Sequence, residues 1–250
     1  GRKGSSYEPL IKYNTPLPKN KSWRTLAPSS LSRAKKWPQP MEMTKKQIKD
    51  LIKKFKNTAL RAKRIGFDCL EIHMAHGYLL HQFFSPISNK RNDKYGGSLK
   101  NRSRLLLEIA RELRKIWPKN KILGARITGT DHLKGGLSAK DANSLAKNLK
   151  KVGLDYISVS SGGIIPFTKM KQKEAFRLNI ANEIKKNSKL VTTMSGMITK
   201  HNIADDIVKK KKIDFITIAR ILIKNPRWIY QLAKKRNVKN LIPNQYSRLI

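Results

Sequence analysis

A chain of 250 residues, 39% hydrophobic and 28% charged, falls in the globular class, and its single cysteine, Cys69, excludes an internal disulfide framework. Fifty-five basic against 16 acidic residues give a formal charge of +39, yet the surplus is spread along the whole chain and 39 of the 55 are Lys, a solvated point charge rather than the phosphate-matching guanidinium of Arg. That distribution reads as compositional bias with only nonspecific attraction to nucleic acid at low salt, and no apolar run approaches the roughly 18 residues a membrane span needs.

Residues 1–42 are rich in Pro, Lys and Ser, lack periodicity, and are expected to form an extended surface loop region. From residue 43 to 250 the chain reads as one domain. Thr44 is the predicted N-cap of a helix whose apolar positions Ile48, Leu51, Ile52 and Phe55 follow helical spacing up to Arg64. Gly66 stops it, and Phe67 to Ile72 reads as a buried strand carrying Cys69 as a core residue. A helix from Asn101 to Trp117 is closed by Pro118; Ile122 to Thr128 is the next strand; Ser138 caps a helix running to Val152. Tyr156 to Ser160 follows as a strand, then a helix over 173–187, a strand from Leu190 to Ser195, and a helix over 200–210. A strand from Ile213 to Ala219 and a helix from Pro226 to Lys235 complete the pattern.

Five strands, each followed by a helix and preceded by one helix without a strand, imply a parallel sheet with right-handed crossovers. This is the pattern of the last five strand–helix units of an α/β (β/α)8 TIM barrel, present here as a partial barrel over 43–250. An open doubly wound sheet is the alternative; it lacks support because no Gly-rich dinucleotide fingerprint follows any strand.

In a barrel, chemistry collects at the carboxyl ends of the strands. Those positions here are His73-Met74-Ala75-His76-Gly77-Tyr78, then Arg126 with Thr128 and Thr130, then Ser160-Ser161-Gly162-Gly163, Ser195-Gly196 and Ala219-Arg220. His73 and His76 suit a metal, with His81 as a third nitrogen, but no carboxylate follows at a suitable strand end. Alternatively the two imidazoles donate hydrogen bonds to one substrate oxygen, which needs no metal. Arg126 sits within an apolar strand, where an unpaired charge is very costly; it implies an ion pair or, the favoured reading, an anionic ligand inside the barrel. Gly196, Ala219 and Arg220 end the two strands whose loops hold phosphate in many barrels.

The run from Glu71 through His73-Met74-Ala75-His76-Gly77-Tyr78-Leu79-Leu80-His81-Gln82-Phe83, continuing as Ser85-Pro86-Ile87-Ser88-Asn89-Lys90-Arg91-Asn92-Asp93-Lys94-Tyr95-Gly96-Gly97-Ser98, closely resembles the Old Yellow Enzyme family. Its His-x-x-His form is similar to the bacterial NADPH dehydrogenase or xenobiotic reductase branch. Gly1-Arg2-Lys3, Leu26-Ala27-Pro28-Ser29, Val159-Ser160-Ser161-Gly162-Gly163, Gly196-Met197-Ile198-Thr199 and Asn225-Pro226 extend the likeness over essentially the whole chain. The resemblance implies an FMN-dependent oxidoreductase that takes hydride from NADPH or NADH and reduces activated alkenes (enones) or quinones. It implies further that His73 and His76 hold the substrate carbonyl, that Tyr78 supplies a proton, that Arg126 lies beside the flavin's pyrimidine edge, and that Gly196, Ala219 and Arg220 hold the FMN phosphate.

Pro243-Asn244-Gln245-Tyr246-Ser247-Arg248 resembles the tail of that branch, whose arginine enters a neighbouring subunit's site; Arg248 is thus expected to bind substrate in a homo-oligomer, a dimer or tetramer. Ala219 departs from the glycine common in the family, residues Pro166 to Glu174 depart from its usual sequence, and its first three strands have no counterpart here. A chain without those strands is expected to expose raw sheet edges and to hold FMN weakly. An inactive barrel fragment, or a basic protein binding nucleic acid electrostatically, is the competing reading, with a His-ligated metal hydrolase a third. The lone cysteine and the absence of any signal-like segment lead to the expectation of a cytoplasmic setting.

Overall fold

Leu26–Ala27 (β1) and Met41–Glu42 (β2) pair in parallel as a small two-stranded ladder. Within the segment around them, Ala27, Ser29, Arg33 and Trp37 are buried. Residues far along the chain hold them. Ser29 Oγ accepts from the Lys90 N–H at 2.8 Å, and the Arg91 guanidinium donates to Pro28 O and Met43 O at 3.0 and 2.7 Å. Arg2 likewise donates from Nη2 to Ile164 O at 2.9 Å. Polar ties of this kind leave no periodicity to read.

The computed structural model describes residues 1, 2, 4, 15–166, 168, 170, 172–238 and 245. After β2 the elements run α1 (Lys45–Arg64), β3 (Cys69–Met74), α2 (Leu79–Phe84), α3 (Leu99–Ile116), β4 (Ile122–Thr128), α4 (Ala139–Val152), β5 (Tyr156–Ser160) and α5 (Leu178–Ser188). They end with β6 (Val191–Ser195), α6 (His201–Lys209), β7 (Phe215–Thr217), α7 (Arg220–Lys224) and α8 (Trp228–Lys235). Thr44 opens α1 with a capping box: its hydroxyl accepts from the Gln47 N–H and the Gln47 side chain accepts from the Thr44 N–H. Ser138 and Asp141 do the same for α4, and Gly153 closes that helix in the left-handed region at φ 93°. β3 begins two residues later than its apolar run, α5 starts only at Leu178, and β7 is confined to three residues.

Among the described residues, β3 to β7 form one parallel sheet in the strict order β3-β4-β5-β6-β7. Each crossover therefore steps one place in the same direction, and right-handed crossovers of that kind put every helix on one face. A doubly wound sheet needs a reversal of strand order, and none occurs among these strands. The architecture is an open arc of a (β/α)8 barrel.

Strand register divides the side chains between two faces. Met74, Ile127, Val159 and Met194 lie side by side in successive strands, all fully buried beneath the helices, where they join the main apolar core. The intervening row is His73, Arg126, Ser158, Thr193 and Phe215, on the inner face. Cys69 belongs to that inner face at the edge strand β3 and is exposed, not a core residue. Its Sγ lies 3.8 Å from Tyr156 Oη, which donates to Glu71 Oε2 at 2.9 Å. Burial and the neighbouring Glu71 charge push the Tyr156 phenol well above its ordinary range. Two aspartates latch the strands together at their starts: the Leu123 N–H donates to Asp155 Oδ2 and the Thr192 N–H to Asp214 Oδ2, each at 2.8 Å.

Candidate active site at the carboxyl ends of the strands

His73 is the fifth residue of β3 and pairs in register with Arg126 of β4, so the two side chains rise on the same face from neighbouring strands. Gly77, at φ 73°, turns the chain immediately after β3. A Cβ there would fall 2.1 Å from Gly163 O, so only glycine lets the loop after β3 lie against the loop after β5. That approach delivers His76, itself left-handed at φ 60°, to β5: its Nε2 is 2.6 Å from Ser160 Oγ. Its Nδ1 is 3.3 Å from His73 Nε2. One nitrogen of that pair must donate and the other accept, so Ser160, His76 and His73 form a chain of hydrogen bonds. In this geometry the imidazoles bond to each other rather than fork toward a shared point. Tyr78, the N-cap of α2, places its ring 5.1 Å from that of His73 and leaves 45% of the residue exposed. A cavity of about 280 Å³ opens there between Gly1, Phe55, His73 and Tyr78.

The second half of the site is a cleft of about 410 Å³ across the ends of β4, β6 and β7, walled by Gly196 and Ala219 and carrying Arg126, Arg177, Arg220 and Lys224. No carboxylate lines it among the described residues. Arg126 donates from Nη2 to Ser195 Oγ at 3.3 Å, while its buried Nε has no acceptor among the described residues. Such a buried orphan donor beside three further cations calls for an anion. A phosphorylated, polar-edged flavin meets both demands, so the residues present fit FMN, as they fit any ligand with a phosphate at one end and hydrogen-bond acceptors at the other. Arg126, Gly196, Ala219 and Arg220 are thus brought together on one cleft; His73, His76 and Tyr78 lie beside it along the same rim.

His81 does not join the other imidazoles. It is fully buried, and its Nδ1 accepts from the Gly77 N–H at 2.8 Å, which leaves the Nε2 proton toward Asp131. Nε2 and Asp131 Oδ1 are 2.9 Å apart, so the N–H dipole faces the carboxylate, though poorly aligned as a hydrogen bond. Asp131 Oδ2 accepts from Ser85 Oγ and the Leu137 N–H at 2.7 and 2.8 Å. Burial alone would raise its pKa; the contacts from His81, Ser85 and Leu137 outweigh it and hold the carboxyl below the usual aspartate range. A carboxylate thus does follow a strand end, contrary to expectation, but it supports the loop after β3 instead of a metal, and no cluster of three metal-ligating side chains occurs among the described residues.

Ser160 stands in the sequence only as part of a strand-end string, and Asp131 and Arg177 give no signal there. Arg177 stands alone after Phe176 in a stretch without any familiar pattern. Arg248 lies outside the described residues, as does the rest of the tail apart from Gln245.

Residues 18–239 match the model of the NADH:flavin oxidoreductase / NADH oxidase family. Among curated relatives, an NADPH dehydrogenase of Geobacillus sp. (strain WCH70) is 40% identical over 223 residues, covering 89% of this chain and 65% of the relative. An NADPH dehydrogenase of Halalkalibacterium halodurans is likewise 40% identical with the same coverage. The chain therefore spans 65% of the length of these relatives. Among solved structures, a 2-naphthoyl-CoA reductase in complex with 2-naphthoyl-CoA superposes with a TM-score of 0.79 at 26% identity, over 88% of this chain and 34% of that one. Morphinone reductase superposes at 0.69 and 23% identity, over 85% and 60%, a likeness of fold. No helix among the described residues is long and apolar enough to cross a membrane.

Proposed function

Since the chain belongs to the NADH:flavin oxidoreductase / NADH oxidase family, we propose that it acts as an FMN-dependent oxidoreductase that takes electrons from NADPH or NADH and reduces enones or quinones. The observation that carries this reading is the in-register pair His73 and Arg126, which joins an imidazole–phenol cluster to a cationic cleft on one rim of the sheet. FMN, when bound, supplies the hydride. Its phosphate belongs with Gly196, Ala219 and Arg220, and Arg126 belongs with the polar edge of its ring, where a fixed positive charge favours the reduced, anionic form.

His73 and His76 act on the substrate carbonyl. The 3.3 Å bond between them is the one a substrate oxygen displaces; the ring whose nitrogen accepted in that bond exchanges its proton through solvent to the facing nitrogen, so that His73 Nε2 and His76 Nδ1 each donate to the oxygen and draw charge from the alkene. Ser160 keeps its bond to His76 Nε2 throughout, so His76 serves through Nδ1. Tyr78, beside His73, protonates the carbon next to the carbonyl; a phenol suffices because the developing enolate is strongly basic. Partner readings follow the same logic: a small-molecule enone or quinone as substrate, and a second copy of the chain contributing Arg248, in a cytoplasmic setting that suits the exposed Cys69 thiol.

The test is direct. With FMN supplied, NADPH should bleach the flavin absorbance and an enone restore it. Tyr78→Phe should slow the enone step by about 10²–10⁴-fold while NADPH still bleaches the flavin. Restoration at the wild-type rate would remove Tyr78 from the reaction; no bleaching in any variant would remove the flavin reading.

A further inference from the structure

Arg177 lies outside every role assigned so far. It precedes α5 and reaches back across the sheet: Nε donates to Ser161 Oγ at 2.7 Å and Nη1 to Ser195 O at 2.9 Å, with Nη2 3.5 Å from Ser161 O. The side chain is thus tied to the loop after β5 and to the last residue of β6. Of the five N–H groups of a guanidinium, these bonds use three, and the remainder belong to a side chain that lines the cleft with Arg126 and Arg220. Three guanidiniums and Lys224 around one cleft, with no carboxylate among the described residues that line it, repel one another. The consequence is visible in Arg177: burial first, then the charges of Arg126 and Arg220, pull it down to about 10. A polar ring edge calls for one cation and a phosphate is matched by one guanidinium; a third, rigidly held by two strand ends, is in excess of both.

We infer that Arg177 is a specificity-determining residue that makes this cleft select a phosphate monoester, reading the phosphate of FMN as a second guanidinium beside Arg220 and holding the β5 and β6 ends at the spacing the phosphate requires. Planar guanidiniums match phosphate oxygens two at a time, which a lysine cannot do. The inference deepens the flavin reading and, in its form for FMN, rests on it. The shared chemistry is a phosphate dianion, whether carried by FMN or free in solution.

Titration of the whole chain with FMN, with riboflavin and with inorganic phosphate separates the possibilities. Flavin uptake is followed by fluorescence quenching, and phosphate by the shift in melting temperature at constant ionic strength. Arg177→Gln should weaken FMN about tenfold or more, the value of one charge-assisted hydrogen bond, and riboflavin by less than about twofold. It should also abolish the stabilisation by phosphate. Lys209→Gln, an exposed charge of α6 remote from the cleft, controls for the high net charge and should change none of the three. If Arg177→Gln fails to fold by circular dichroism, Arg177→Lys decides, with FMN preference reduced but not lost. Equal weakening of FMN and riboflavin, or no change in either, overturns the inference while leaving the flavin reading intact. Arg177-dependent phosphate binding in a wild-type chain that takes up neither flavin does the reverse.

Discussion

The two faces of the sheet are made from alternate residues of the same five strands and obey different rules. On the helix side, Met74, Ile127, Val159 and Met194 meet in a row from which water is excluded. On the inner side, His73, Arg126, Ser158 and Thr193 occupy the equivalent row, and Phe215 at its end is 62% exposed. Burial on one side holds the arc together; polarity on the other leaves donors and charges facing a space that a ligand can fill. In this molecule stability and chemistry are separated by the two-residue period of the strand.

That separation can be broken by experiment. The largest effect is expected where a charge sits among covered groups: Asp131→Asn should cost about 3–5 kcal/mol, the value of the two charge-assisted hydrogen bonds from Ser85 Oγ and the Leu137 N–H that it weakens, measured by urea unfolding. The same carboxyl sets an acid limit. Because its folded pKa lies below the unfolded value, its contribution is complete above about pH 4 and drains away as pH falls through the lowered folded value. The variant should lose that part of the acid sensitivity. Next, Ile127→Ala, on the helix side of β4, should cost about 3 kcal/mol through transfer and cavity terms. Smallest is Thr193→Ala on the inner face, which loses one hydroxyl bond to Thr217 Oγ1 at 2.8 Å and should cost under about 1 kcal/mol. Similar losses for the last two would mean that the inner face is as much a core as the outer one.

Much of this was legible in advance where local rules act alone. Ile122–Thr128, Tyr156–Ser160 and the helix capped by Ser138 have the boundaries that apolar runs and capping residues announce. α2 went unread because it is six residues long and buried nearly all round, so it has no polar face to mark a helical period. Cys69 was misplaced for a related reason: an apolar run does not say which alternate residues turn inward, and on an edge strand of an open arc the inward ones meet solvent. Among the site residues, His73, His76, Tyr78 and Arg126 announced themselves because imidazoles and charges are out of place at strand ends. Arg177 gave no signal, since its importance comes from Ser161 and Ser195, which only folding brings near.

One cluster has a broader bearing. Arg91 clamps Asp93 with two hydrogen bonds of 3.0 and 2.7 Å while also gripping Pro28 and Met43, and Asn89 donates to both Phe83 O and Tyr95 O. The second half of the longest recognisable string, around Asn89 to Tyr95, is therefore a rivet, fastening the N-terminal strap to the barrel wall. Those letters describe a chassis, a role apart from that of the residues around the rim that face the cleft.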